Sequence, residues 1–304
     1  MYFLKRLAFT IPLLLVISVL TFALVRCAPG GPFDRERAPA SPQIEKRLNE
    51  KYHLNDPFWK QYTRYLGNLL HGDLGPSLKY RSHSVNDIIA QALPVSMLLG
   101  FLAFGFALGT GLPVGFFSAV GRGRLPDYLG SFVALLAVCI PGLVLAPMLL
   151  TLFAIKWHLL PVALWESPMH AILPTIALGL FFSGKVARLM REGMLNTMQS
   201  EFITTARAKG LSENALMFRH GFRMAVLPVI SYAGPMLADL LTGSFVVENI
   251  FQIPGIGVFF VNSMANRDQT MTMGLVLLYA VLLVMLNLIV DFAYAVLDPR
   301  VKYE

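Results

Sequence analysis

Six long apolar blocks constrain this chain more than any other feature. They run over Leu7–Val25, Val95–Val120, Leu129–Ile155, Ala171–Leu189, Val226–Ile250 and Met273–Leu297. A helix needs about 20 apolar residues to cross a hydrocarbon core of roughly 30 Å, and each block is close to that length or longer. Only 14% of the residues are charged, where a soluble domain carries roughly 25%. The spacing therefore predicts an all-α integral membrane protein with about six transmembrane helices.

The first block has the basic start of a signal peptide in Lys5 and Arg6, but its apolar run is too long for one, and no small-x-small site follows it. It reads as an uncleaved span. With the N-terminus inside, Lys5, Arg6, Arg122, Arg124, Lys185, Arg188, Arg191, Arg207, Lys209, Arg219, Arg223, Arg300 and Lys302 collect on the cytoplasmic side or at span ends bordering it. The two short outside loops then hold only Lys156 and Arg267. This inside-positive bias predicts that both termini are cytoplasmic. The net charge of +7 then reflects topology, with lipid as the partner and no nucleic-acid module. Residues 27–93 become an extracytoplasmic loop, in which Pro57, Tyr62, Tyr65, Leu66, Leu69 and Leu70 suggest short helices near the membrane surface and Trp59 suits an interfacial belt. That loop reads equally as a cap on the pore mouth and as a docking surface.

Small residues mark where spans approach one another. Gly105 with Gly109, and Gly111 with Gly115, form two pairs at GxxxG spacing, read as packing faces. Pro113, Pro141, Pro147, Pro174 and Pro235 are expected to interrupt spans, as neighbouring helices or a cavity permit. Cys27 and Cys139 have no metal-ligand spacing and are not expected to pair.

Residues 190–225 form a long basic cytoplasmic loop. Gly210 suits a left-handed residue ending one short helix, and Ser212 before Glu213 can cap the next. Phe202, Ala206, Leu216 and Phe218 supply the apolar positions. Such a helix pair is either a handle for a partner or an amphipathic hairpin on the membrane surface. The string Gly179 to Lys185 imitates a nucleotide-binding loop, but Val186 stands where a Ser or Thr would hold magnesium and no strand precedes it. There is no His-Glu-x-x-His and no nucleophile elbow. Asp239 falls near the middle of the fifth block, where a charge is costly and faces a cavity, a partner or another helix. Glu248 and Asp291 lie nearer span ends and read as structural.

With those residues in view, the loop resembles the coupling motif of binding-protein-dependent ABC importers. Thr204, Thr205 and Ala206 stand at its first three positions, Gly210 at its glycine, and His220 where the motif has Ile; Leu227-Pro228 comes five residues late. Thr205 to Leu211 (Thr-Ala-Arg-Ala-Lys-Gly-Leu) is similar to the peptide-transporter branch. So are Arg26–Pro32, Lys51–Pro57, Gly72–Gly75, Tyr80–Asp87, Gly243–Glu248, Pro254–Gly257, Asn266–Asp268 and Asp291–Pro299, which resemble the B-type permease subunit of oligopeptide importers. The resemblance implies a type I ABC importer permease fold, a single permease domain over 1–304, in a bacterial inner membrane. It implies a second, C-type permease, two cytoplasmic ATP-binding subunits that carry ATP and Mg²⁺, and an extracytoplasmic peptide-binding protein. No cofactor is implied on this chain, which is a transport subunit rather than an enzyme. Thr204, Thr205, Ala206, Arg207, Lys209, Gly210 and Leu211 would contact an ATP-binding subunit, and Asp239 would line the pathway. The same class serves dipeptides, nickel and glycosides. An ion-coupled secondary transporter is the rival outside it, although no internal repeat is evident.

Overall fold

The computed structural model describes residues 2–27, 56–80, 82–241 and 245–297. The described residues are almost wholly helical, with one isolated β-bridge, between Pro76 and Ser84. Much of Arg26–Pro32 and Lys51–Pro57, together with Gly243, Ser244 and Asp298 to Glu304, lies outside the described residues. Contacts cluster into two units, one of residues 1–95, 254–285 and 300–304, the other of residues 96–253 and 286–299.

In the first unit, α1 (Tyr2–Cys27) is the expected first span. The short helix α2 (Phe58–Leu70) rests on it: Tyr62 is buried, its hydroxyl shares a 2.8 Å hydrogen bond with Ser18, and Phe22 meets Phe58 and Tyr62 edge-on at 4.8 and 5.4 Å. Trp59 is 68% exposed at the flank of this contact. Helix α3 (Val85–Val120) begins ten residues before the expected Val95, which shortens the segment read as an extracytoplasmic loop. The cause is a reciprocal cap. The Asp87 N–H donates to the Ser84 hydroxyl at 3.1 Å, and the Ser84 N–H donates to the Asp87 carboxylate at 3.1 Å. Ser77 and Lys79 are tied down by the buried carboxylate of Asp268, which accepts from the Ser77 hydroxyl at 2.5 Å, the Lys79 N–H at 3.2 Å and the Met271 N–H at 3.0 Å. The last of these bonds caps the start of the helix that begins at Gln269.

In the second unit, α4 (Leu125–Cys139) and α5 (Gly142–Leu149, continued as a wide turn over Leu150–Lys156) correspond to the third apolar block. They do not form one straight span, because the two helices meet at 104°. Pro141 causes the break. It has no N–H to donate and excludes helical geometry at Ile140, which is extended at φ −81°, ψ 116°. The other prolines behave differently from expectation. Pro113 lies inside the uninterrupted α3, Pro174 sits in the first turn of α6 (Ile172–Met198), and Pro147 and Pro235 lie inside α5 and α10 (Leu227–Leu241). Between α6 and α10 run α7 (Glu201–Ala208), α8 (Glu213–Ala215), a wide turn over Leu216–Gly221, and α9 (Phe222–Ala225). Helix α11 (Phe245–Ile250) follows α10. Helices α12 (Ile256–Ala265) and α13 (Gln269–Leu297) complete the described chain. Among the described residues, five helical stretches are long and apolar enough to span a membrane, six if the bent pair is one crossing.

Helix α6 is the hub of the second unit, packing on α4, α5, α9, α10 and α11. Its close approach to α3 needs glycine. A Cβ at Gly111 would lie 2.6 Å from the Ser183 carbonyl, and one at Gly115 would lie 2.2 Å from the Ala187 carbonyl. The first GxxxG pair has no such role, since Gly105 and Gly109 face open space. Two glycines of the nucleotide-loop imitation are also packing positions inside α6, Gly179 against the backbone of Ala103 and Gly184 against that of Ala134.

Candidate functional site

The second unit's polar residues concentrate along α6 and at its Met198 end. There the chain turns through Gln199 and Ser200 directly into α7. Helix α7 is amphipathic over a short length. Ile203 is fully buried, while Thr204, Thr205, Arg207 and Lys209 are exposed and Ala206 is half-buried. Gly210 adopts φ +83° and ends the helix, a conformation that costs a side chain roughly 1–2 kcal/mol. The exposed Leu211 leads into Ser212, whose hydroxyl accepts the Ala215 N–H at 3.4 Å. Both turn devices are those expected from Gly210 and Ser212.

Of the four apolar positions noted in the sequence, Leu216 alone is fully buried, and the other inward residue is Ile203. Phe202 and Phe218 point outward, Phe218 staying 59% exposed even though one face stacks at 4.8 Å on Phe116. The hairpin thus presents Phe202, Leu211 and Phe218 as apolar points among the polar Thr204, Thr205 and Lys209. Arg207 is engaged within the hairpin. Its Nε and Nη2 donate to the Glu213 carboxylate at 2.5 and 3.2 Å, bridging the two helices across Gly210. The arginine holds the Glu213 carboxyl below its ordinary range.

Two contacts connect the hairpin's root to the bundle. Arg191, within the last turns of α6, grips Asp127 at the start of α4 with both faces of its fork, Nε to Oδ1 at 2.7 Å and Nη2 to Oδ2 at 3.1 Å. Asp127 is buried and also accepts from the Ser118 hydroxyl at 2.9 Å and the Gly123 N–H at 2.9 Å, so its charge is fully surrounded by donors. Gly193 sits so close to α9 that a Cβ there would lie 2.4 Å from the Ala225 carbonyl. The root of the hairpin is thereby fixed to both α4 and α9. The sequence reading placed Arg191 among the inside-positive residues and assigned Asp127 no role. The signal that was available is Arg124-Leu-Pro-Asp127, an acidic residue in the first turn of a Pro-started helix.

Asp239 stands exposed on α10, in a stripe with Ser231 and Pro235 at helical spacing. Lys185 lies thirteen residues before the end of α6, about 20 Å along it, and not at a span end as its place near Leu189 suggested. Its ammonium lies 4.4 Å from the Phe181 ring centre and 5.8 Å from that of Tyr232 on α10. Among the described residues no cluster of His, Cys, Asp and Glu could hold a metal, and Cys27 and Cys139 are both free thiols.

The chain is similar to known transport proteins. The chain is 42% identical over 301 residues to the oligopeptide transport system permease protein OppB of Haemophilus influenzae, covering 98% of each chain. It is 42% identical over 301 residues to the dipeptide transport system permease protein DppB of Bacillus subtilis, covering 99% of this chain and 97% of the relative. It is likewise 42% identical over 304 residues to OppB of Escherichia coli K12, covering 99% of each. Among solved structures, the inward-facing MetNI methionine ABC transporter superposes at a TM-score of 0.58 with 15% identity, covering 69% of this chain and 96% of that one. An amino acid ABC transporter superposes at 0.57 with 17% identity, covering 70% and 95%. These structural likenesses establish a shared fold. A family model covers residues 111–303, the stretch that carries the hairpin and its contacts to the bundle. The chain is therefore a member of the binding-protein-dependent transport system inner membrane component family.

Proposed function

We propose that this chain is one permease subunit of an ATP-driven oligopeptide importer, and that residues 204–211 are the handle through which a cytoplasmic ATP-binding subunit moves it. The observation that carries this reading is the continuity of α6 into an exposed, two-helix hairpin fixed to the bundle by Ile203, Leu216 and the Arg191–Asp127 fork. A second, related permease completes the pathway, two ATP-binding subunits supply the energy, and an extracytoplasmic protein delivers peptide. The names carried by the OppB and DppB relatives support a peptide cargo.

In this mechanism Thr204, Thr205, Ala206, Lys209, Gly210 and Leu211 contact the ATP-binding subunit. Arg207, already paired with Glu213, stiffens the handle and remains accessible from outside. The bundle has no energy source of its own. Driving an access equilibrium from 1:99 to 99:1 takes about 5.5 kcal/mol of differential binding, which closure of the ATP-binding subunits supplies. Asp239 lines the pathway: a carboxylate in a span interior is costly against lipid, and its exposed position on α10 suits a water-filled route. A cysteine at Thr204 or Lys209, with Cys27 and Cys139 replaced by Ser, should cross-link to the ATP-binding subunit in the assembled complex, while one at Trp59 should not. Equal or absent cross-linking at all three would remove the handle from the mechanism.

A further inference from the structure

We infer that the cleft between α4 and α6, at the end of the bundle that bears the hairpin, binds the phosphate headgroup of an acidic membrane lipid, with Arg188 as its cation. This needs only that the helices sit in a bilayer and is independent of the cargo. The cleft has a volume of about 410 Å³. Its floor is Gly115 and Ser118 of α3, and its walls are Ser131 and Leu135 of α4 and Arg188 and Asn196 of α6. Two arginines of α6 line it, and they differ. Arg191 is committed to Asp127, which it grips with both arms of its fork. Arg188, about one turn further from the hairpin, is exposed and has no hydrogen-bond or carboxylate partner among the described residues. Arg122 and Arg124, in the turn between α3 and α4, are likewise exposed and unpaired among the described residues, and Gly123 between them donates its N–H to Asp127. Unpaired guanidinium groups therefore collect at this end of the α4–α6 contact, against the exposed carboxylate of Glu192 in the cleft wall.

The surroundings select a lipid over a soluble anion. Beside the cleft α4 presents an apolar face, with Tyr128, Phe132 and Leu135 all exposed. Tyr128, Ser131 and Leu135 recur at helical spacing, so the stripe that lines the cleft continues past it along α4. Tyrosine suits the headgroup level of a bilayer, and Phe132 and Leu135, further along α4, give acyl chains an apolar surface. A free phosphate would use the arginine alone. A lipid uses the arginine with its phosphate and the α4 face with its chains. Basic pockets between spanning helices take acidic headgroups in this way, and a guanidinium meets a phosphate through two parallel hydrogen bonds. Lodged there, the headgroup would bridge α4 and α6 about one turn from the Arg191–Asp127 fork.

The test uses the assembled transporter in phosphatidylcholine vesicles that contain acyl-brominated phosphatidylglycerol or acyl-brominated phosphatidylcholine at equal mole fraction. Tyr128→Trp is the fluorescent reporter, and the same complex without it gives the background. Quenching should favour phosphatidylglycerol, and Arg188→Gln should lower that preference about fivefold, the effect of one basic residue near an acidic lipid surface. Arg188→Lys should keep most of the preference. Arg223→Gln, which removes an exposed arginine of α9, should leave it unchanged. Co-elution of the subunits on gel filtration reports that each variant is assembled. Equal quenching of the wild-type reporter by the two lipids would overturn the site. An equal fall in Arg223→Gln and Arg188→Gln would reduce it to diffuse charge attraction and overturn it too. Loss of the preference on adding glycerol phosphate would make the ligand a soluble anion, and no quenching by either lipid would mean that a partner subunit covers the cleft; both results refute a lipid site. Because the readout is lipid contact, failure of the peptide reading would leave this inference standing.

Discussion

Substituting Gly115 by Ala tests the packing on which the hub helix depends. The added methyl would sit 2.2 Å from the Ala187 carbonyl oxygen and 2.8 Å from the Met190 Cβ. A relaxed C···O contact is about 3.3 Å or longer, so α3 and α6 must separate by about 1 Å or one must bend. The obstructing atoms are helix backbone and the root of a buried side chain, which cannot swing aside. Overpacking of this kind costs about 1–3 kcal/mol. Gly105→Ala is the matched control, because nothing lies within 4 Å of its Cβ position; there the change should be neutral or gain up to about 1 kcal/mol of helix propensity. Thermal unfolding of the purified protein in detergent, followed by tryptophan fluorescence, should show Gly115→Ala melting well below wild type and Gly105→Ala at or above it. If Gly115→Ala melted with wild type, the close α3–α6 crossing would be wrong.

Other changes separate handle from bundle. Asp127→Asn and Arg191→Met should each destabilise the protein by about 2–4 kcal/mol, since each strands a polar partner, and the double variant should lose much less than the sum; additive losses in a double-mutant unfolding cycle would show that the fork carries no coupling. Gly210→Val forces a branched side chain into φ +83° and should abolish ATP-driven uptake while the chain still inserts and binds its partner permease; normal uptake would remove the left-handed turn from the mechanism. Glu213 has a depressed folded value relative to the ordinary 4.5, so its pairing contributes fully above pH 4.5 and is lost as pH falls through the depressed value. Hydrogen-exchange protection of α7, corrected for intrinsic rates, should drop there in wild type and be low at every pH in Glu213→Gln; identical pH profiles would contradict the pairing.

The turn chemistry of the hairpin was legible because it is local. A positive-φ glycine and a serine cap act within a few residues, and Gly210 and Ser212 do what their types dictate. The outline of the spans was legible from apolar length. What escaped is whatever depends on a neighbour distant in sequence. The two GxxxG pairs lie six residues apart on one helix, yet only Gly111 and Gly115 of them meet a helix backbone, because the path of α6 decides which face of α3 is covered. Phe202, Ala206, Leu216 and Phe218 stand out as the hairpin's apolar positions, while the sites filled by the bundle are those of Ile203 and Leu216. The 104° bend could have been read from Pro141, but it is one of five prolines expected to interrupt spans, and of those five only this one follows a residue that has left helical geometry. Lys185 passed as a span-end charge because α6 runs nine residues beyond its apolar stretch.

The central claim is that the bundle moves because another protein pushes α7. The direct measurement is accumulation of labelled trialanine in proteoliposomes holding this chain with its partner permease, at equal concentrations inside and out, with the ATP-binding subunits and the binding protein present or withheld. Concentrative uptake should appear only when the nucleotide-hydrolysing subunits and ATP are both supplied, and Gly210→Val should eliminate it. Accumulation against the gradient without those subunits would contradict the claim outright.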